Sequence, residues 1–249
     1  SAIEKVVIPY QVCQIGENIF SFCQNLKTVE LPKNSKFRII CKNAFYSSSI
    51  EFISIPSQII QIDNCAFYNC KNLKSIEFSI NSELQSIGNE CFSYTSIESF
   101  LIPPLVSQIS KNAFYMCQNL KSIEFSNNSE LRSIESFSFS FSSIEKFSIP
   151  YRATQICEGS FSNCKKIECI EFNENSELHS IEKDAFFESS IQFLIVPLKV
   201  NHIGRNAFWK SLNLVHVEFL SEELIVDSFC FSHCEKLCIA SFPNINNLT

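Results

Sequence analysis

The sequence contains little glycine and little arginine. Only four of its 249 residues are glycine, so it has no Gly-rich loop of the kind that binds phosphate groups. No run of basic residues is present, and the formal net charge is −6. This composition argues against a nucleic acid or an anionic membrane as partner. The only arginines are Arg38, Arg132, Arg152 and Arg205.

Long hydrophobic runs and catalytic motifs are also missing. No apolar stretch approaches the roughly 20 residues of a membrane-spanning helix, and the N-terminus has no basic start followed by an apolar stretch, so no signal peptide is visible. No nucleophile elbow, metalloprotease histidine pair or EF-hand spacing occurs. We therefore expect no enzymatic activity, no cofactor, no metal site and no membrane insertion within this chain.

Phenylalanine, by contrast, is abundant, and it recurs at one position of a repeated frame. The frame reads Ile-x4-Phe-x2-(Cys/Ser/Thr)-x2-(Leu/Ile), followed by alternating apolar residues. Successive frame phenylalanines are 25 and 22 residues apart in alternation, with a last step of 23, so two coils make a 47-residue double repeat. They are Phe20, Phe45, Phe67, Phe92, Phe114, Phe139, Phe161, Phe186, Phe208 and Phe231.

Two further features follow the 47-residue period. Prolines close alternate strands, as suits a residue that cannot donate to a strand ladder, and they are Pro9, Pro56, Pro103, Pro150 and Pro197. The longer coils carry an inserted polar loop, Asn-Ser-Glu-Leu, at residues 81–84, 128–131 and 175–178.

Such a pattern predicts an α/β solenoid. One coil of 22 to 25 residues cannot bury its own Ile, Phe and Leu, so neighbouring coils stack and share a core. The segment 73–78, Leu-Lys-Ser-Ile-Glu-Phe, alternates like a short strand, and stacked copies would form a parallel sheet with strands about 4.8 Å apart. The arc from Ile62 to Phe67 is too short for a full helix, and we expect a helical turn around Ala66 and Phe67.

The repeat resembles the BspA-like class of leucine-rich repeats. Residues 109–117, Ile-Ser-Lys-Asn-Ala-Phe-Tyr-Met-Cys, followed by Leu-Lys-Ser-Ile-Glu-Phe at 120–125, are a near-ideal copy, and the match covers essentially the whole chain. The alanine before the frame Phe is replaced in several coils, where we expect looser turns. These replacements are Ile19, Cys91, Ser138, Ser160 and Cys230.

The resemblance implies a right-handed horseshoe with a parallel sheet on its concave face and short strands and helical turns on its convex face. The family is associated with surface antigens and adhesins of bacteria and parasitic protists, which bind host or microbial proteins, and it implies no catalytic residues. We accordingly expect one leucine-rich-repeat domain over residues 1–249, with ten to eleven coils.

The two ends of the sequence bear on location. The chain starts midway through a coil, and neither end shows the polar capping repeat that a solenoid normally needs, so we expect a fragment of a longer protein. A cell-surface or secreted location follows from the resemblance, and Asn127 and Asn247 begin glycosylation sequons that matter only in that setting. The thirteen cysteines fit a reducing compartment better, which keeps a cytoplasmic location as the alternative.

The cysteines themselves suggest packing rather than chemistry. Cys23, Cys70, Cys117 and Cys164 are 47 residues apart, which places them about two strand spacings from one another, beyond the reach of a disulfide. We expect them to pack inside and to bond to backbone at the turns. The cluster Cys230, His233, Cys234 and Cys238 has a metal-like spacing, but the frame directs its side chains differently, whereas zinc needs converging ligands.

The outward face of the concave sheet holds the candidate binding residues. One outward column repeats glutamate every second strand, and carboxylates about 10 Å apart can neither share a proton nor chelate one ion. This column has two alternative interpretations. In one, the glutamates serve only solubility, as a functionally neutral residue that repeat duplication has copied. In the other, they form part of an acidic and apolar face that contacts a protein. The candidate residues are Glu30, Phe52, Glu77, Leu101, Glu124, Glu171, Phe193, Ile195 and Glu218.

Two classes of function remain. The first is a protein-binding module, a surface antigen or adhesin that recognises a host or microbial surface protein through this face. The second is a structural or self-associating scaffold, possible inside the cell, in which uncapped solenoid ends stack.

Overall fold

A computed structural model describes residues 3–33, 35–126 and 128–242. They form a solenoid of stacked coils in which every strand pairing is parallel. Each complete coil consists of a long strand, a loop, a short strand and an arc that returns to the next long strand. Over the described ranges no helix is long and apolar enough to cross a membrane. Both sequon asparagines, Asn127 and Asn247, fall outside the described residues.

The long strands form what we call the main sheet, one strand per coil. Their inward residues are buried and their outward residues are largely exposed, as the alternation predicted. They are β1 (Lys5–Val7), β2 (Thr28–Glu30), β4 (Phe52–Ile55), β6 (Ser75–Phe78), β8 (Ser99–Ile102), β10 (Ser122–Phe125), β12 (Lys146–Ile149), β14 (Cys169–Phe172), β16 (Phe193–Val196), β18 (His216–Phe219) and β20 (Ile239–Ser241).

The short strands form two further ladders, one of three strands and one of six, with a break between the strands at 86–87 and 108–109. Each short strand ends at the frame isoleucine or its valine counterpart. Ile15 joins the three-stranded ladder through an isolated bridge to Ile40. The short strands are β3 (Ile39–Ile40), β5 (Gln61–Ile62), β7 (Ser86–Ile87), β9 (Gln108–Ile109), β11 (Ser133–Ile134), β13 (Gln155–Ile156), β15 (Ser180–Ile181), β17 (His202–Ile203) and β19 (Ile225–Val226).

The expected helical turns are wrong: among the described residues the arcs contain turns and no helix. In the arc around Phe67, the amides of Ala66, Tyr68 and Cys70 donate to carbonyls three residues back, at 3.1–3.2 Å. The amides between them donate to carbonyls of the next coil, at 2.8–2.9 Å. In an α-helix each amide would donate to the carbonyl four residues back. Here the alternate amides of the arc donate to the neighbouring coil instead.

A left-handed backbone residue lies two positions before and two positions after every frame Phe. Around Phe67 these are Cys65 and Asn69, with φ of 55° and 58°. None of the set is β-branched, as expected for a region that disfavours side chains branched at Cβ. The set comprises Asn18, Phe22, Asn43, Ser47, Cys65, Asn69, Glu90, Tyr94, Asn112, Met116, Phe137, Phe141, Gly159, Asn163, Asp184, Glu188, Asn206, Lys210, Phe229 and His233.

The ten frame phenylalanines form one continuous stack through the core. Each ring lies parallel to the next within 21°, with centroids 5.0–5.5 Å apart. This separation matches the spacing of parallel strands and the range in which offset aromatic pairs attract. Rings from the main sheet, such as Phe100 and Phe147, pack edge-on against the stack.

The expectation of looser turns where alanine is replaced is wrong. Ser138 and Ser160 are fully buried at the alanine position, and their carbonyls accept the same inter-coil bonds, from Phe114 at 2.7 Å and from Phe139 at 2.8 Å. Replacing alanine by serine instead costs folding free energy, because both hydroxyl oxygens are buried without a hydrogen-bond partner.

The predicted packing of the cysteine ladder is confirmed for Cys70, Cys117 and Cys164, whereas Cys23 is only half-buried. The buried thiols of Cys70, Cys117 and Cys164 donate to the carbonyl of the frame Phe one coil back, at 2.9–3.1 Å. Ser211 occupies the next equivalent place and donates to the Phe186 carbonyl at 3.1 Å. The ladder therefore ties each arc to its neighbour by a side-chain bond as well as by backbone bonds.

The main sheet is not evenly paired, contrary to the expectation of a regular stack. Within each 47-residue unit two long strands pair over four residues, as in β4–β6, β8–β10, β12–β14 and β16–β18. Between units the pairing shrinks to one residue at β2–β4 and β14–β16, and the described strands β6–β8 and β10–β12 belong to separate sheets. We call these four places open steps.

Loop length explains the open steps. The strands that precede them, β2, β6, β10 and β14, are followed by loops of seven or eight residues, whereas β4, β8, β12, β16 and β18 are followed by five. The longer loop also contacts the preceding coil, because the Glu177 amide donates to the Tyr151 carbonyl at 2.8 Å. The amides of Glu83 and Glu130 donate to the equivalent carbonyls of their own preceding coils. The β18–β20 step follows a five-residue loop and is closed, with three residue pairs.

Candidate binding face

The outer face of the main sheet carries two columns of side chains, and their register is the one that the repeat predicted. In the first column Ser54 lies opposite Glu77, Leu101 opposite Glu124, and Ile195 opposite Glu218. In the second, Thr28 lies opposite Phe52 and Phe193 opposite His216. All nine candidate residues therefore lie on this face, spread along its length rather than gathered at one point.

The acidic residues of the face are mostly without charged partners. Glu30 forms an ion pair with Lys5 at 2.5 Å, and Glu171 accepts a hydrogen bond from the Ser148 hydroxyl at 2.6 Å. In the described part of the chain no ion pair involves Glu77, Glu124 or Glu218. The two columns hold five glutamates and two lysines, which leaves three negative charges on the face.

Apolar side chains lie between the glutamates. Leu101, Phe193 and Ile195 expose 46%, 55% and 53% of their surface, whereas Phe52 is half-buried. Apolar groups exposed to this extent on a sheet face are available to a partner, so three of the four proposed anchors are accessible and Phe52 offers less area.

The open step between β14 and β16 widens into a groove of about 600 Å³. Its strands pair only at Cys169 and Phe193. The sequence had pointed to Glu171, Phe193 and Ile195 here, but it missed two further apolar residues that line the groove, Leu198 and Leu220. Leu198 follows Pro197 directly, and its position outside the strand pattern is why the alternation did not reveal it.

The cysteines near the last long strand do not converge. The Cys234 thiol donates to the Phe208 carbonyl at 3.1 Å, and the Cys238 thiol donates to the Lys236 carbonyl at 3.2 Å. Cys230 is buried in the core, where burial raises its thiol pKa to about 12. Across the described ranges no group of three or more His, Cys, Asp or Glu side chains is arranged to hold a metal ion.

Comparison with known proteins gives a family and a fold. A sequence model described as "BspA type Leucine rich repeat region" matches six copies, over residues 1–120, 85–215 and 156–249. A comparison with curated proteins found no match.

Several solved structures are similar. A leucine-rich repeat protein from Bacteroides ovatus is 19% identical with a TM-score of 0.57, covering 96% of this chain and 78% of that one. Another, from Eubacterium ventriosum, is 18% identical with a TM-score of 0.50, covering 95% and 78%. A leucine rich cell surface protein from Faecalibacterium prausnitzii is 16% identical with a TM-score of 0.48, covering 99% and 89%. At these identities the likeness concerns the fold.

Proposed function

This chain belongs to the BspA-type leucine-rich repeat family, and from that premise we propose that it is a non-enzymatic protein-binding module. The partner is a protein that presents basic and apolar groups, and it binds the outer face of the main sheet, the concave side of a horseshoe. The observation that supports this most is the alternation on that face of glutamates with half-exposed apolar side chains. Of these glutamates, Glu77, Glu124 and Glu218 have no ion-pair partner among the described residues.

The two kinds of residue have different roles in the proposal. Carboxylates spread along the face steer a basic partner and raise its association rate. The exposed apolar side chains, Leu101, Phe193 and Ile195, lose water on contact and hold the complex together. A rigid stack of coils keeps both sets in fixed positions, so that little ordering is needed on binding.

The test is adhesion of protein-coated microspheres to cultured epithelial cells and to bacterial lawns, over a range of salt concentrations. The variant Glu77→Lys/Glu124→Lys/Glu218→Lys should fold as the wild type does, because exposed changes usually alter stability by under about 0.5 kcal/mol. It should adhere less, with a weaker dependence on salt.

The control variant reverses charges on the arcs, at Lys111 and Lys183, which lie away from the main sheet. Loss of adhesion in Lys111→Glu/Lys183→Glu, with full adhesion of the triple variant, would move the binding site to the arcs. If both variants adhered as strongly as the wild type, a charged binding face would be refuted.

Display at the cell surface, or secretion, is part of the same proposal, since the family that the sequence resembles is associated with surface antigens and adhesins. Cys13 and Cys238 are exposed thiols, so a membrane-impermeant thiol reagent applied to intact cells should label them. Labelling only after lysis would favour the cytoplasmic alternative.

Self-association is a second candidate, favoured by one observation. The coil at 216–242 exposes a purely apolar recess of about 200 Å³ lined by Phe219, Phe231 and Phe242, among others. Burying such a surface against another copy would be favourable. Molecular mass in solution should then rise with concentration, and the variant Phe242→Ser should abolish the rise; a concentration-independent monomer would exclude this function.

A further inference from the structure

The groove at the β14–β16 step differs chemically from the equivalent step one unit earlier. Its lining includes the exposed apolar residues Phe193, Ile195, Leu198 and Leu220. The four places 47 residues earlier are occupied by Lys146, Ser148, Tyr151 and Asn173. The β10–β12 step also has a groove, of about 500 Å³, lined by polar and apolar groups in similar amounts. Repeat duplication copies residues between units, so it does not account for this difference between the two steps.

The lining residues are accessible as well as apolar. Leu198 and Leu220 expose 65% and 41% of their surface, and they line the groove together with Phe193 and Ile195. Cys169, paired with Phe193 at the point where the strands meet, lies at the base of the groove and is partly exposed. A side chain that entered here would exchange water for apolar contacts on several sides.

The charges around the groove are asymmetric. Glu171 and Glu174 line the β14 side and Lys199 lines the β16 side. Among the described residues, none of these three takes part in an ion pair. Two carboxylates next to an apolar pocket complement a ligand that carries a cation beside an apolar side chain.

We propose that this groove binds an extended peptide segment of a partner protein, in which an aromatic or aliphatic side chain is flanked by arginine or lysine. The apolar side chain packs among Phe193, Ile195 and Leu198, and the basic side chain reaches Glu171 and Glu174. The inference rests on the proposed protein-binding function and specifies which part of the face recognises the partner.

The probe is a fluorescein-labelled ten-residue peptide of glycine and serine with a central Arg-Phe-Arg, and its counterpart has Glu-Phe-Glu. Binding is followed by fluorescence polarisation. Ile195→Ser places in the groove the residue found at Ser148 and should weaken binding about tenfold, the loss typical of a desolvated anchor. Leu105→Ser is the matched control, because Leu105 is an exposed leucine in the loop after β8, at another open step, and it should bind the probe as the wild type does.

Cysteine alkylation in the wild-type protein gives a second, independent measurement. Saturating Arg-Phe-Arg peptide should protect Cys169 from iodoacetamide, as read by peptide mass mapping, and should leave the exposed Cys13 unprotected. The result supports the groove if only the basic peptide both binds and protects.

Several outcomes would overturn the groove as the site. They are no saturable binding of the basic peptide, equal binding of the acidic peptide, unprotected Cys169, or equal affinity of the Ile195→Ser variant. A loss of affinity in Leu105→Ser but not in Ile195→Ser would reject the groove as the site. The adhesion test tests the face separately, so the two proposals can fail independently.

Discussion

The thiol of Cys117 donates a hydrogen bond to the carbonyl oxygen of Phe92, 25 residues earlier, at 3.0 Å. Cys117 has no exposed surface, and burial raises its thiol pKa from 9.0 to about 11, with smaller opposing effects from hydrogen bonds to Thr95 and Tyr94. Cys70, Cys117 and Cys164 are thus neutral hydrogen-bond donors inside the core. This makes the stability of the protein sensitive to alkaline pH.

The first prediction concerns that sensitivity. A pKa raised in the folded state means that the stabilisation from Cys117 is complete below pH 9 and is lost as the pH rises through about 11, by about 1.4 kcal/mol per pH unit. Cys117→Ser keeps a donor, as Ser211 shows, and removes the titration. Between pH 9 and pH 11 the variant should therefore lose about 2–3 kcal/mol less unfolding free energy than the wild type, measured by urea unfolding.

The exposed Cys238 provides the control, since Cys238→Ser makes the same chemical change outside the core. If Cys117→Ser and the wild type lose stability in parallel above pH 9, the thiol does not carry the effect.

The second prediction concerns two serines on either side of Phe161. The hydroxyl of Ser160 is buried without a partner, whereas the buried hydroxyl of Ser162 is hydrogen-bonded to that of Ser140 at 2.7 Å. Removing an unsatisfied group should help and removing a satisfied one should hurt, each by about 1 kcal/mol or more. Ser160→Ala should therefore raise the midpoint of denaturant unfolding, and Ser162→Ala should lower it. Shifts of the same sign would contradict the hydrogen-bond assignment.

The parts of the fold that follow from side-chain periodicity could be predicted from the sequence. The recurrence of phenylalanine at one frame position predicts a core shared by stacked coils, and the alternation in Leu-Lys-Ser-Ile-Glu-Phe defines which residues face outward. These features depend on burial, which a pattern of apolar residues encodes directly.

The arcs and the open steps could not be predicted, because they depend on backbone bonds. The apolar pattern does not indicate whether the amide of Phe67 bonds within its own arc or to the next coil. A weak signal existed in the asparagines at the left-handed positions, such as Asn43 and Asn112, since asparagine tolerates that conformation. The groove was missed for a related reason, because Leu198 lies in a loop whose direction is set by hydrogen bonds.

The third prediction tests the left-handed positions. Asn112 has φ of 55°, and valine there would place a β-branched side chain in a conformation that costs about 1–2 kcal/mol for ordinary residues. Asn112→Val should destabilise the protein by at least that amount in a urea melt. Lys111→Val, at the neighbouring exposed position, should change stability by under about 0.5 kcal/mol. Equal losses in the two variants would show that the arc backbone is not the cause.

The last prediction treats the 47-residue double coil as the unit of the fold. Deleting residues 81–127 joins Ile80 to Asn128 within two copies of the same Asn-Ser-Glu-Leu loop, so that Phe67 would stack on Phe139 as it now stacks on Phe92. Because stability in a solenoid is a sum over coils and their contacts, the shortened protein should still unfold in one cooperative transition. Its denaturant m-value should fall by about a fifth, in proportion to the surface removed.

A second deletion of equal length, residues 128–174, is the matched comparison. It should reduce the m-value equally, but it should lose less stability, since it also removes the unsatisfied hydroxyls of Ser138 and Ser160. A deletion protein that aggregates, or that unfolds in two separate transitions, would show that the double coil is a period of the sequence and not an independent structural unit.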